Sequence, residues 1–288
     1  MKYNYLLWIL LIITMLACKD NGTQVEPPKY ADYLPLTVGS YWIYKTYELN
    51  QYQDTIPGTD QLDSLVCENI SVYLGRTAYF MVRYRNGSLL DTLIFSKSSD
   101  TVYRLFNKDN YSVPELNNVW FKIAETKLSE WNILGLRITN YPFHFIDKEV
   151  LTTYDHAVNV YYRGFDTAKI QNENYVQHHF ELKHDSRLFF DYNFKYTITV
   201  DSIVYDTIGP GNIKKDTIKV NRQTYDSVQV NRQLLELDRY FFVANIGLTK
   251  IQKDTYYEQM WTIPYTSRFP GGRTYFNGWR SILIRYRL

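Results

Sequence analysis

The sequence predicts an all-β protein built on one large, strongly curved antiparallel sheet or open barrel, with a β-sandwich as the alternative. Its 288 residues include 28 tyrosines and 15 phenylalanines, and aromatic and β-branched side chains fit the pleated, half-buried surface of a sheet. Apolar and polar residues alternate in many short segments. No strand–helix–strand rhythm is visible, which favours antiparallel pairing.

Alternation is clearest in the last segment, residues 281–288, where Ile282, Ile284, Tyr286 and Leu288 share one face. A period of two residues is typical of a strand. The same pattern predicts strands over residues 41–49, 77–85, 89–95, 158–162, 176–182, 193–204 and 215–220.

Turn signals separate these segments at Asn86-Gly87, at residues 209–212 and at residues 270–272, which are rich in glycine and proline. The stretch Glu125 to Leu134 is the most tolerant of helix. Since no internal linker is evident, we expect one domain over residues 31–288.

The first 17 residues have the layout of a signal peptide: one charge at Lys2, an apolar run from Leu6 to Met15, and the small residue Ala17 before Cys18. The apolar run is about ten residues long, whereas a helix that spans a bilayer needs roughly 20. We therefore expect cleavage rather than a retained transmembrane anchor.

The segment from Met15 to Cys18 resembles the lipobox of bacterial lipoproteins. This resemblance implies that the Cys18 thiol is diacylated, that the chain is cut before it, and that the new amino terminus is acylated. Two or three acyl chains give stable membrane anchoring. An ordinary secretory signal with an incidental cysteine is the alternative.

Residues 18–30 form the expected tether, because they are polar and interrupted by Gly22, Pro27 and Pro28. Cys18-Lys19-Asp20 resembles the export signals that send some Bacteroidota lipoproteins to the cell exterior. Lys19 also replaces the aspartate that retains some lipoproteins at the inner membrane. We therefore expect an outer-membrane location, on the periplasmic face or the cell surface.

Only one other cysteine, Cys67, is present, and we expect it to be a small buried residue. The formal net charge of +2 gives no basic field that would attract nucleic acid.

Two longer motifs carry a family resemblance. Residues 33–44 (YLPLTVGSYWIY) and residues 240–250 (YFFVANIGLTK) resemble the first and a late strand of a broad group of Bacteroidota-type secreted lipoproteins. The resemblance implies a secreted β-rich domain and brings no activity with it. Physically, Trp42 is suited to anchor the first strand in the core, and Gly247 to a bulge or a close approach of another backbone.

Aspartate followed by Ser or Thr and then by an aliphatic residue or Ala recurs nine times, whereas chance would give roughly one occurrence. The hydroxyl residues are Thr55, Ser64, Thr92, Thr101, Thr167, Ser202, Thr207, Thr217 and Ser227. The tripeptide resembles the O-glycosylation site of Bacteroidota envelope proteins, which implies sugar on that hydroxyl. Alternatively, Asp-Ser/Thr caps a turn before a strand.

No nucleophile elbow, phosphate loop, paired-cysteine site or zinc-protease motif is present, so we predict no catalytic residue, metal ligand or cofactor. His178 and His184 share a strand face about 20 Å apart, too far to share a metal unless the strand folds back.

Aromatic residues crowd the last forty positions, and Tyr257, Trp261, Tyr275 and Trp279 form a candidate ligand platform. The sequence thus leaves three functions open: a non-enzymatic binding or structural component of the envelope, a carrier of hydrophobic ligands such as lipids, and a protein that binds or processes glycans. Its partners would be the membrane, through the lipid, and a glycan, a lipid or an envelope protein.

Overall fold

The computed structural model describes residues 32–98, 100–106, 117–145, 148–209, 212–263 and 272–288. These residues form 14 strands and no helix, which confirms the all-β prediction. Within these ranges, no helical segment has the length and apolarity that a membrane crossing requires. The predicted signal peptide, Cys18 and the predicted tether lie outside the described residues.

The strands are β1 (Tyr41–Leu49), β2 (Gln61–Tyr73), β3 (Arg76–Arg85), β4 (Ser88–Ser98), β5 (Thr101–Phe106), β6 (Val119–Ala124), β7 (Glu130–Phe145), β8 (Lys148–Ile170), β9 (Glu173–Gly209), β10 (Asn212–Val243), β11 (Gly247–Lys253), β12 (Tyr256–Ile263), β13 (Gly272–Phe276) and β14 (Gly278–Arg287). All of their described pairings are antiparallel. The main path runs β6-β5-β4-β3-β2-β1-β14-β11-β10-β9-β8-β7, while β12 pairs with β10 and β13.

This sheet curls into a nearly closed barrel with one unsealed seam, rather than the alternative sandwich. The seam lies between β6 and β7, the two ends of the strand order. A side chain bridges it, because Trp131 of β7 donates a hydrogen bond to the carbonyl of Lys122 of β6 at 2.9 Å. The barrel predicted from the alternation is therefore confirmed.

The two motifs of the family resemblance meet in space. Trp42 is 1% exposed and donates its indole N–H to the Ile246 carbonyl at 2.8 Å. The Tyr44 hydroxyl donates to the Leu248 carbonyl at 2.7 Å. Gly247 has a φ of +100°, and a Cβ there would lie 3.5 Å from the Trp42 indole nitrogen. The atoms nearest to that Cβ belong to the side chains of Pro35 and Trp42, at ordinary contact distance, and not to another backbone as predicted.

The barrel has two ends, which we call proximal and distal. β1 begins at the proximal end. There Tyr33, Leu34 and Leu36 are buried, and the Tyr33 ring packs 5.2 Å from the His178 ring. β1 ends at Leu49 at the distal end. Between the ends, buried side chains such as Phe121 and Phe180 fill the interior.

Three strands are much longer than the sequence predicts. The short predicted segments at residues 158–162, 176–182, 193–204 and 215–220 are parts of β8, β9 and β10, which span 23, 37 and 32 residues. β8 pairs with β9 only as far as Phe189, and β12 pairs with β10 only as far as Gln229. In the described chain, β9 and β10 then continue from the distal end as a two-stranded arm about 55 Å long, residues 193–227.

The helix-tolerant stretch from Glu125 to Leu134 contains no helix, because it forms a turn and the first residues of β7. Tertiary packing favours a strand over a helix here, since the Trp131 ring lies 6.5 Å from the buried Phe180 ring. The turn predicted at Asn86-Gly87 is confirmed, as both residues have positive φ between β3 and β4. Pro210-Gly211 and Pro270-Gly271 lie outside the described residues.

Candidate functional site

The distal end of the barrel holds an open polar cleft of about 460 Å³. Its walls come from β1, β2, β3, β4, β14 and the loop before β2, with Glu48, Gln61, Arg83, Arg85 and Trp279 among the lining residues. This volume lies in the range of sites that bind small molecules. We call this site the distal cleft.

Strand alternation places the charges of the distal cleft on the inward face. Arg83 and Arg85 follow the buried Met81 on β3 at intervals of two residues. On β2, Asp63 precedes the buried Leu65 in the same way, and Asp63 and Arg85 are cross-strand partners. Opposite charges on neighbouring inward positions therefore meet inside the barrel mouth.

Asp63 is only 1% exposed and is held by several donors. The Arg85 guanidinium binds its two oxygens at 2.8 and 2.9 Å, and the Thr46 hydroxyl donates to it at 2.9 Å. Burial raises the pKa of Asp63, but the hydrogen bonds from Arg85 and Thr46 outweigh burial and leave the pKa below its usual value. This carboxylate therefore stays ionised.

Arg83 forms a second ion pair beside the first one. Its Nε and Nη2 atoms lie 2.9 and 2.5 Å from the two oxygens of Asp91. The Arg83 guanidinium carbon also lies 5.5 Å from the centroid of the Trp279 ring, within the range of a cation–π contact. The distal cleft therefore presents the Trp279 ring next to the Arg83 guanidinium, and the ion pair with Asp91 fixes the orientation of that guanidinium.

The predicted ligand platform divides between two places. Tyr257 of β12 and Tyr275 of β13 are cross-strand partners with ring centroids 6.1 Å apart and tilted by 55°. Trp261 lies four residues further along β12, on the same face as Tyr257. Trp279 belongs to β14 and lines the distal cleft instead.

His178, His184 and Cys67 are buried and pack against other side chains of the barrel. The Tyr162 hydroxyl lies 2.8 Å from Nδ1 of His178, and the His184 ring packs 5.8 Å from that of His156. Burial lowers the pKa of both His178 and His184. Cys67 is fully buried, which confirms its prediction and raises the pKa of its thiol. Across the described ranges, no group of three or more His, Cys, Asp or Glu residues is arranged to hold a metal ion.

None of the eight described hydroxyl side chains of the aspartate tripeptides is buried. The exposed ones are Thr55, Thr92, Thr167, Thr217 and Ser227, and the partly exposed ones are Ser64, Thr101 and Ser202. The Thr207 side chain lies outside the described ones. Four of the nine tripeptides, at residues 201–203, 206–208, 216–218 and 226–228, belong to or adjoin the arm.

No protein-family model and no curated protein matches this chain. In the comparison with solved structures, the chain is similar to a "putative lipoprotein" from Parabacteroides distasonis ATCC 8503, a member of the Bacteroidota. The similarity covers 90% of this chain and 99% of the other, with 8% sequence identity and a TM-score of 0.40.

The sequence prediction does not include Arg83 and Arg85, which line the distal cleft, or Asp63, which pairs with Arg85. Their spacing could have identified them. Each lies two or four residues from a buried apolar residue of the same strand, and therefore on the inward face. A charge at such a position requires a partner or an opening to water, and the distal cleft supplies both.

Proposed function

We propose that this chain is a non-enzymatic, lipid-anchored protein of the bacterial cell envelope, and that its distal cleft binds a polar ligand of the carbohydrate class. The anchor would be acylated Cys18, at the outer membrane. The described chain begins at Asp32 beside the proximal end, where Asn245 donates a backbone hydrogen bond to its carbonyl at 2.9 Å. The distal cleft then faces away from the anchor.

The observation that carries the ligand class is the pairing of Trp279 with Arg83 in the distal cleft. A sugar ring has an apolar face of C–H groups and an edge of hydroxyls. An indole offers a flat apolar surface to the face, and an oriented guanidinium offers several donors to the hydroxyls.

Binding has more support than hydrolysis. A glycosidase needs one carboxylic acid whose pKa is raised so that it can donate a proton. Among the described residues that line the distal cleft, Glu48 is the single carboxylate, whereas a glycosidase uses two. Beside the cleft, Arg85 and Thr46 hold the pKa of Asp63 down, and Arg83 holds Asp91 in an ion pair. These contacts favour a site that recognises a ligand without cleaving it.

A carrier of hydrophobic ligands has less support. It requires a continuous apolar cavity, whereas large side chains such as Trp42, Phe95 and Phe242 fill the interior. A more apolar pocket beside Tyr141 and Leu188 measures about 170 Å³, below the size of typical ligand sites.

The aspartate tripeptides support a second, separate proposal, namely O-glycosylation of accessible hydroxyls. Thr217 and Ser227 are exposed and lie on the arm, where a transferase would meet little steric hindrance. Tryptic peptides of protein from the native host that carry these residues should show added sugar mass. Unmodified masses at all nine sites would refute glycosylation.

Ligand binding is tested by glycan-array screening followed by calorimetry with two matched variants. Trp279→Ala removes the ring of the distal cleft, while Trp261→Ala removes a ring of the same type on β12. We expect Trp279→Ala to weaken binding at least about tenfold, since buried aromatic anchors dominate such sites, and Trp261→Ala to leave it unchanged. The reverse pattern would place binding on the face formed by β12 and β13, and no loss in either variant would refute the distal cleft as the site. No binding by the wild-type protein on the array would refute glycan binding.

A further inference from the structure

The hairpin of β2 and β3 projects beyond both of its neighbours at the proximal end. β1 pairs with β2 only as far as Val66, and β4 pairs with β3 only from Tyr79. Between these limits the two strands pair only with each other among the described strands. Residues 68–75 are all exposed. We call residues 69–75 the hairpin tip.

The hairpin tip is apolar where a solvated turn would be polar. Its sequence, NISVYLG, contains no charged residue, although 22% of the chain is charged. Val72 is 79% exposed and Leu74 is 52% exposed, and they are accompanied by Ile70 and Tyr73 at 37% and 36%. Clustered exposed apolar side chains mark a surface that contacts another apolar phase.

The turn residue itself departs from local preference. Leu74 and Gly75 have φ values of +47° and +75°, the left-handed pair of a two-residue hairpin turn. At the distal end, the turn between β3 and β4 has nearly the same geometry, with φ of +50° and +84°, and uses Asn86-Gly87. Leucine is disfavoured in this conformation, so the half-exposed Leu74 carries a local conformational cost.

The hairpin tip lies on the side of the barrel from which the tether comes. Lys97 binds the Asp32 carboxylate at 2.6 Å, and its ammonium lies 5.7 Å from the ring of Tyr79 at the base of the hairpin. Cys18 precedes Asp32 by 14 positions, so an extended chain between them reaches at most about 50 Å. The hairpin tip extends roughly 25 Å beyond its last pairing with β1, well inside that reach.

We infer that the hairpin tip docks into the bilayer surface to which Cys18 is anchored, with Val72 and Leu74 inserted among the lipid headgroups and upper acyl chains. This inference rests on the proposed lipid anchor. A few aliphatic side chains give a shallow, weak contact by themselves, and the tether makes that contact intramolecular by keeping the tip close to the lipid. Docking would hold the distal cleft and the arm away from the membrane.

The test uses the full chain, processed at Cys18 and reconstituted into vesicles of phosphatidylethanolamine and phosphatidylglycerol that contain a nitroxide-labelled lipid. An environment-sensitive fluorophore is attached through Val72→Cys in one sample and through Ile218→Cys, on the arm, in the control. Cys67 is buried and Cys18 would be acylated, so labelling is selective. Ile218 is 47% exposed and lies at the opposite end of the molecule.

We expect the Val72→Cys probe to shift to shorter wavelength and to lose more than half of its emission to the nitroxide, while the Ile218→Cys probe is unaffected. Leu74→Asn should reduce the quenching at position 72 without unfolding the hairpin, because asparagine suits the left-handed turn. Equal quenching at both positions, or none at position 72 in vesicles that carry the protein, would overturn docking alone. A blue-shifted Val72→Cys probe before vesicles are added would assign the hairpin tip to a second copy and overturn docking. Failure of the protein to float with vesicles would overturn both the anchor and the docking.

Discussion

Asp63 is a carboxylate that the barrel both buries and pairs. Arg85 and Thr46 satisfy its oxygens, and the Thr46 hydroxyl lies 2.6 Å from that of Ser281 on β14. These contacts connect β1, β2, β3 and β14 beside the distal cleft, which Thr46 and Arg85 line. Replacing one member of a buried pair leaves the other member without compensation.

Asp63→Asn should therefore lower the free energy of unfolding by about 2–3 kcal/mol near pH 7, as measured by urea denaturation. This loss of stability is smaller than for a fully buried ion pair, because the Arg85 side chain is 35% exposed. Asp60→Asn is the matched control, since Asp60 pairs with Lys45 at the surface and should contribute little.

The effect of Asp63 should also depend on pH. Because the folded-state pKa of Asp63 is below its usual value, its stabilisation is present above the unfolded-state pKa, near 4, and is lost as pH falls through the folded-state pKa. The difference between wild type and Asp63→Asn should shrink over that acidic window. A constant difference down to the lowest pH would show that the carboxylate charge is not responsible.

Among the described strands, β14 is the one that joins the first part of the sheet to the last part. It pairs with β1 on one side and β11 on the other, and so joins strands from both ends of the chain. β14 begins at Gly278, where an added Cβ would collide with the Lys253 carbonyl oxygen and lie 2.6 Å from the Thr255 nitrogen. Only glycine lets the corner after β11 approach β14 this closely.

Gly278→Ala should therefore destabilise the fold by about 2 kcal/mol or more, as backbone and strand must separate. Gly135→Ala in β7 is the matched control, because a Cβ there meets no atom within 4 Å and no positive φ is required. Thermal unfolding should show a lower midpoint for Gly278→Ala and an unchanged or slightly higher one for Gly135→Ala. Similar midpoints for both would contradict the steric account of β14.

The alternation of apolar and polar residues predicts some strands over their full length and others only in part. β1 spans the predicted residues 41–49 because the buried Trp42 and Tyr44 alternate with partly exposed residues. The three long strands were predicted only in fragments, since polar residues such as His184 and Glu181 are buried within β9 and interrupt the apolar pattern. In the arm, residues 193–204 and 215–220 alternate and are predicted as strands, but none of their described side chains is buried, so the pattern does not join these fragments to the strands of the barrel.

The closure of the barrel and the composition of the distal cleft depend on contacts remote in sequence. Thr46 and Ser281 are 235 positions apart, and nothing local to either residue indicates that they meet. The result is a molecule with two different ends. Residues 32–36 and the apolar hairpin tip lie at the proximal end, whereas the distal cleft and the arm lie at the other. This polarity is what a tethered domain requires if its binding site is to face away from the membrane.

The proposed lipid on Cys18 would be seen in the mass of the N-terminal peptide of protein extracted from membranes. We predict a peptide that begins at Cys18 and carries the mass of a diacylglyceryl group and an N-acyl chain, with Cys18→Ser releasing the protein from the membrane fraction. An unmodified Cys18, or a Cys18→Ser chain that remains in the membrane fraction, would contradict the anchor.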